Sequence, residues 1–297
     1  MNIPSKIKSE IYSHFIKLRN LFSKGSLDYF KKESLFLYFQ DFNSNWGDAV
    51  NPWIFEELTN KKVVSAKQIY NFRNKPKFYG IGSILNSNLE NTIIWGSGFI
   101  KPPLKITGIP VKILAVRGEL SGKILDENGI KHDRVYGDPA LLMPGIYNPL
   151  VKKKYKLGII PHYTELIEIS SLNKFDNSIT IISPLVENQN YMDIIDQIKE
   201  CENILSSSLH GLILADAYGV PSLRLKFRDK IIGGDFKFDD YYSGVNIQNH
   251  KKYNLTEINK FDFEEVLKNM ELKNIKFDSD RLKNSLLNYL KHKNHNL

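Results

Sequence analysis

Two Rossmann-like, doubly wound α/β domains facing a cleft are the fold that this 297-residue sequence predicts. Three observations carry the prediction. Short apolar runs alternate with helical stretches along most of the chain. Glycine-bearing turns follow those runs directly. A basic, proline-containing stretch over residues 146–156 then divides the series in two. Continuous apolar strands separated by helices belong to parallel sheets buried on both faces, whose ligands sit beyond the carboxyl ends of the strands.

Residues 1–33 come first, as an N-terminal amphipathic helix. Ile7, Ile11, Phe15, Leu18 and Phe22 recur at helical spacing among lysines, and Gly25 ends the pattern. Such a helix either packs on the body of the protein or lies on an anionic leaflet. The first domain, residues 34–148, follows. Leu35–Phe39 reads as a buried strand leading to Asn45-Trp46-Gly47-Asp48 and a helix through Trp53, Phe55 and Leu58. Strand ends recur at Gly80-Ile81-Gly82-Ser83, at Trp95-Gly96-Ser97-Gly98 and at Val116-Arg117-Gly118-Glu119. Arg134-Val135-Tyr136 reads as a further strand before Gly137-Asp138-Pro139. In the second domain, residues 149–297, strands end at Pro161-His162, at Ser183-Pro184 and at Ser206-Ser207-Ser208, with another over 222–225. The chain closes on a basic helix carrying Leu282, Leu286, Leu287 and Leu290, open to the same two readings as the first helix.

Composition narrows the function. With 42% hydrophobic and 25% charged residues the chain is a globular protein with a full core. No apolar run approaches the length of a bilayer span, and no secretory signal pattern is present, so a cytoplasmic protein is expected. The lone Cys201 excludes an internal disulfide and any multi-cysteine metal site, and reads as a buried small hydrophobe. The net charge of +8 is concentrated at the two ends and comes without a nucleic-acid-binding module, which favours the inner face of an anionic membrane over nucleic acid as the basic surface's partner. No metal-ligand spacing stands out; Asp239-Asp240 and Asp278-Ser279-Asp280 come nearest, and both lie in polar stretches that read as exposed.

The most informative stretch is Ile204-Leu205-Ser206-Ser207-Ser208-Leu209-His210-Gly211, a strand, a polar turn and a helix start. Unpaired N–H groups and the positive end of the dipole make a helix N-terminus an anion site. The serines can cap the helix and bind phosphate oxygens, and His210 adds a side chain able to give or take a proton. Arg117, at a strand end, either projects its fork into the cleft toward a carboxylate or phosphate or pairs with Glu119 on the surface. Asp48 is either a first-turn acid or a group acting on ligand. Asp138 before Pro139 organises a turn. His162, at a second-domain strand end, faces the same cleft.

Taken together and in order, Asn45-Trp46-Gly47-Asp48, Gly80-Ile81-Gly82-Ser83, Trp95-Gly96-Ser97-Gly98, Val116-Arg117-Gly118-Glu119-Leu120-Ser121, Tyr136-Gly137-Asp138-Pro139-Ala140 and Ser207-Ser208-Leu209-His210-Gly211 resemble the polysaccharide pyruvyl transferase family over roughly residues 34–228. The resemblance implies a GT-B-like architecture and transfer of pyruvate from phosphoenolpyruvate, without a further cofactor, onto a sugar or lipid-linked oligosaccharide as a ketal. It implies His210 as general acid and Arg117 as a residue that holds the donor; in that chemistry Asp48, or another acid at the first domain's edge, would bind or deprotonate acceptor hydroxyls. Arg117, Ser207, Ser208, Leu209, Gly211 and His162 fall on the donor side, and Asn45, Trp46, Gly82 and Ser83 on the acceptor side. Many members carry arginine before the Leu-His pair, where this chain has Ser208. Either Arg224, Lys226 or Arg228 substitutes, or the donor differs. The other readings are a glycosyltransferase of the same architecture using a nucleotide sugar, and a carbohydrate-binding protein without chemistry.

Overall fold

The computed structural model describes residues 34–39, 45–67, 75–174, 177–187, 190–228 and 231–295. The first-helix reading over residues 1–33 lies outside them. The first sheet comprises β1 (Leu35–Leu37), β2 (Val63–Ser65), β3 (Lys77–Tyr79), β4 (Thr92–Trp95) and β5 (Lys112–Ala115), in the order β2-β1-β3-β4-β5. The second comprises β6 (Tyr155–Ile160), β7 (Ile179–Ile181), β8 (Cys201–Ser206), β9 (Ser222–Phe227) and β10 (Lys252–Leu255), in the order β10-β9-β8-β6-β7. Every pairing within both sheets is parallel.

Counted from its own first strand, the second sheet repeats the 2-1-3-4-5 order of the first. The order reverses between β1 and β3 in one and between β6 and β8 in the other. Strand connections diverge at such switch points, which leaves a crevice at the carboxyl ends. The segments that leave β1, β3, β6 and β8 are the ones that carry Asn45–Asp48, Gly80–Ser83, Pro161-His162 and Ser206–His210.

The predicted strands are present, with two differences. Arg134–Tyr136 is not a strand of its own; Tyr136 makes a single parallel bridge to Val116, prolonging β5. Strands β2 and β10 were not expected. Both are sheet edges, and β10 alternates exposed and buried residues, so neither offers the continuous apolar run of a central strand.

The helices begin with α1 (Trp46–Ala49) and α2 (Asn51–Thr59), then α3 (Glu119–Glu127), α4 (Leu166–Ile169), α5 (Asp193–Lys199) and α6 (Leu209–Ala217). They continue with α7 (Phe236–Gly244), α8 (Phe263–Lys268) and α9 (Ser279–His295). Helix α6 is apolar nearly all round and buried from Leu209 to Asp216. It ends as the sequence predicts, with Gly219 at φ +65° before Val220-Pro221. One hydrophobic cluster runs through both halves, joining Trp95 and Leu114 of the first sheet to Ile204, Ile213 and Phe238.

Helix α9, at the end of the second half, lies on the first sheet. Leu282 and Leu286 are fully buried, the Trp95 indole N–H donates to the Leu282 carbonyl at 3.0 Å, and Tyr289 meets Phe78 edge-on. The apolar stripe of this helix is therefore spent on the protein body, which decides between its two readings. Cys201 is buried as expected, and burial pushes its thiol up to about 12.

Candidate active site

The loops at the two switch points are tied together before any side chain reaches toward ligand. Asn51, 1% exposed, donates to the carbonyls of Gly47 and Ile81 and accepts from the Ile81 N–H at 2.7 Å, fixing the segment after β1 against the segment after β3. Across to the second half, the Trp46 N–H donates to Pro184 O and its indole N–H to Tyr191 O, both at 2.8 Å. Asn45 bridges Leu185 in an antiparallel contact. Trp46 and Asn45, expected at the acceptor, thus join the two halves. A cavity of about 440 Å³ opens beside the indole, lined in part by Leu185, Glu187, Asn190 and Asp193.

His210 stands in the first turn of α6, 6% exposed, with its ring packed on the Gly47 backbone. Gly47 has no side chain because one would occupy the space of the imidazole atoms Cε1, Nδ1 and Cγ. The Trp46 ring centroid lies 6.1 Å from that of His210. Nε2 faces the Asp138 carboxylate at 3.7 Å, just beyond hydrogen-bond length, and neither Nε2 nor Asp138 Oδ2 has another partner. The other Asp138 oxygen accepts from the Ala140 N–H at 2.9 Å, so the residue organises its turn as predicted and holds one oxygen toward the histidine.

Asp48 lies in the first turn of α1 with its Oδ1 against Gly82, whose φ of +130° is a backbone conformation that residues with a side chain rarely adopt. Burial raises the Asp48 pKa, opposed by the charges of His210, Lys67 and Lys237. A carboxylate made more basic and placed within the field of an imidazole suits proton transfer.

The serine turn departs from the expectation of capping. No serine side chain caps α6. Ser206 Oγ bonds to Ile160 O and to the Ser208 backbone. Ser207 Oγ accepts from the His162 N–H at 2.8 Å and donates to Glu165 Oε2 at 2.5 Å. These hydroxyls are drawn into stitching the ends of β6 and β8 together, since the close approach of the two strands leaves backbone groups there to satisfy. The first-turn N–H groups of α6 consequently keep no side-chain acceptor. Leu209 is buried in the shared core, and Gly211 packs its backbone against Ser206 Oγ and Ile160. His162 caps the turn Tyr163–Glu165, and burial, with Lys237 adding to it, lowers its imidazole to about 4.

Arg117 takes neither of its predicted positions. It is wholly buried, and its partner is Asp240 rather than Glu119, with Nε and Nη2 at 2.9 and 2.8 Å from Asp240 Oδ2. Its remaining donors reach the Phe99 carbonyl and Ser83 Oγ, each at 2.6 Å. Ser83 is thereby engaged from beneath. Asp240, read as exposed, is fully buried, while Asp239 pairs with His250. The polar run Lys237–Asp240 hides its alternation because Lys237, Phe238 and Asp240 all turn inward from α7.

Helix α7 and β9 also bring two cations that the sequence did not single out as a pair, Lys237 and Arg224. Lys237 is 8% exposed and lies within the electrostatic reach of Arg117, Arg224, Glu165 and Asp48. Arg224 is 3% exposed, ion-paired through Nη2 to Asp235 and stacked 3.9 Å from the Phe238 ring centroid. Among the described residues no group of three or more His, Cys, Asp or Glu side chains is placed to hold a metal ion, and no helix is long and apolar enough to cross a membrane.

The two switch points, with His210, Asp48 and the buried cations Lys237 and Arg224 about them, mark the candidate site of an α/β protein. The polysaccharide pyruvyl transferase family model matches residues 70–226. An uncharacterized protein of Acanthamoeba polyphaga mimivirus is 30% identical over 242 residues, covering 77% of this chain and 80% of that protein. The succinoglycan biosynthesis protein ExoV of Rhizobium meliloti (strain 1021) is 27% identical over 225 residues, covering 71% of this chain and 64% of its own. The chain belongs to the polysaccharide pyruvyl transferase family. Among solved structures, the wall teichoic acid polymerase TagF aligns over 88% of both chains at a TM-score of 0.44 and 11% identity.

Proposed function

We propose that this protein transfers pyruvate from phosphoenolpyruvate onto two hydroxyls of a sugar in a surface polysaccharide or its lipid-linked precursor, forming a ketal and releasing phosphate. The observation that carries this reading is the packing of the His210 ring on Gly47, the residue before Asp48, which brings the two switch points together beside buried cations and the uncapped first turn of α6.

His210 gives a proton to the methylene carbon of the donor, and the positive charge that develops at the adjacent carbon is shared with its oxygens. A sugar hydroxyl adds there as Asp48 takes its proton. The carbon–oxygen bond to phosphate then breaks, the second hydroxyl closes the ketal, and phosphate departs. One hydroxyl proton replaces the proton His210 supplied, and the other leaves with the phosphate. Asp138 holds the imidazole from behind, and the α6 N–H groups offset the charge of the leaving group. The basic residues of the first 24 positions suit an anionic leaflet that carries a lipid-linked acceptor.

Incubating the full chain with phosphoenolpyruvate and a panel of lipid-linked glycans, with phosphate release and product mass as readouts, tests the reaction. His210→Gln should lower the rate by about 10²–10⁴-fold. A wild-type rate in that variant overturns the acid assignment. Modification from a nucleotide sugar instead of phosphoenolpyruvate overturns the donor. Co-sedimentation with anionic vesicles, compared with a chain lacking residues 1–24, tests the leaflet; equal binding by both overturns that role.

A further inference from the structure

Lys237 is a buried ammonium without an ion pair among the described residues, and the charges that act on it most strongly are those of two cations, Arg117 and Arg224. Arg117 is neutralised by Asp240, whereas Glu165 and Asp48 act on Lys237 only from a distance. Arg224 spends one nitrogen on Asp235 and leaves Nε and Nη1 buried without a partner. Stacking on Phe238 fixes the plane of its guanidinium. Burying an unpaired ammonium and two unsatisfied guanidinium nitrogens is costly unless something arrives to bond them. A group presenting several anionic oxygens would answer both.

We propose that Lys237 and Arg224 form an anion seat for a phosphoryl group on the second-half wall of the cleft, supplying the cation that Ser208 does not. Lys237 comes from α7 and Arg224 from β9, and Arg224 stands in register with Ser206 at the end of β8, directly before the serine turn. That the group belongs to phosphoenolpyruvate rests on the function proposed above; the existence of the seat does not.

The seat has a protonation signature. Burial, with Arg117 and Arg224 adding to it, brings the Lys237 ammonium down to about 8 in the free protein. A dianion beside it restores the charged form, so binding above pH 8 draws a proton from solution. Calorimetric titration of the full chain with inorganic phosphate, and separately with phosphoenolpyruvate, at pH 8.5 in two buffers of different ionisation enthalpy reads affinity and proton uptake together. The wild type should bind with proton uptake. Lys237→Met should lose tenfold or more in affinity, and Lys237→Arg should keep the affinity and lose the uptake. Arg224→Lys should also weaken binding. Melting temperatures confirm that the variants compared are folded. Absence of phosphate binding by the wild type, binding without proton uptake, or unchanged affinity in Lys237→Met overturns the seat. Because the titration contains no acceptor, an intact seat in a chain that makes no ketal would overturn the proposed reaction and leave the seat standing.

Discussion

The Arg117 guanidinium and the Asp240 carboxylate, 123 positions apart in the chain, meet at 2.8 Å with both side chains closed to solvent. Asp240 also accepts from the Ser121 N–H at 2.7 Å and from Ser121 Oγ at 2.8 Å, so helix α7 is locked onto the start of α3. The pair therefore holds in place the helix that carries Lys237. Removing one partner strands a buried charge, so Arg117→Met should cost about 3–5 kcal/mol. Equilibrium denaturation checks this, and a loss below about 1 kcal/mol would show the pair to be dispensable.

Gly47 offers a test of the His210 ring position that leaves its chemistry intact. A methyl group there cannot share space with the imidazole, so Gly47→Ala should displace the ring and lower the turnover number far more than it changes the apparent affinity for donor. Steady-state kinetics on the folded variant separates the two. Equal effects on both parameters would place the damage elsewhere.

His162 should make stability depend on acidity. Its folded-state value of about 4 lies below the 6.5 of an ordinary histidine, so the unfolded chain binds the proton first as the pH falls. The histidine's contribution is flat above about 6.5 and is lost progressively between 6.5 and 4. His162→Asn, which retains a side-chain acceptor for the Thr164 N–H, should show a shallower fall in melting temperature over that window. Parallel curves for the two proteins would contradict the assignment.

Helix α9 should behave as part of the core. Leu286→Ala removes a fully buried side chain and should cost about 2–5 kcal/mol. A vesicle-binding defect without any loss of stability would instead return this helix to a membrane role.

Much of the fold was legible because it is written locally. A buried parallel strand needs a short apolar run, and a turn at its end needs glycine, proline or small polar residues, so the central strands and their ligand-facing ends could be read in order. The edge strands β2 and β10 lacked that pattern because half their surface is not in the core. His210, Asp48 and His162 could be named for the same reason: each sits at a strand end or helix start that its neighbours announce.

The sequence by itself thus determined the alternation of strands and helices, the polar turns at the strand ends and the family likeness they carry. Tertiary structure alone decided which charges meet. Asp240 and Lys237 sit in a run that looks solvated, and only the docking of α7 against α3 and β9 takes them out of water. Arg117 is claimed by a carboxylate from the other half of the chain, and the Ser206 and Ser207 hydroxyls by the paired ends of β6 and β8. A side chain's tendency toward helix or strand depends on near neighbours in sequence, whereas its charge finds a partner through space, with no fixed separation along the chain for a pattern to reveal.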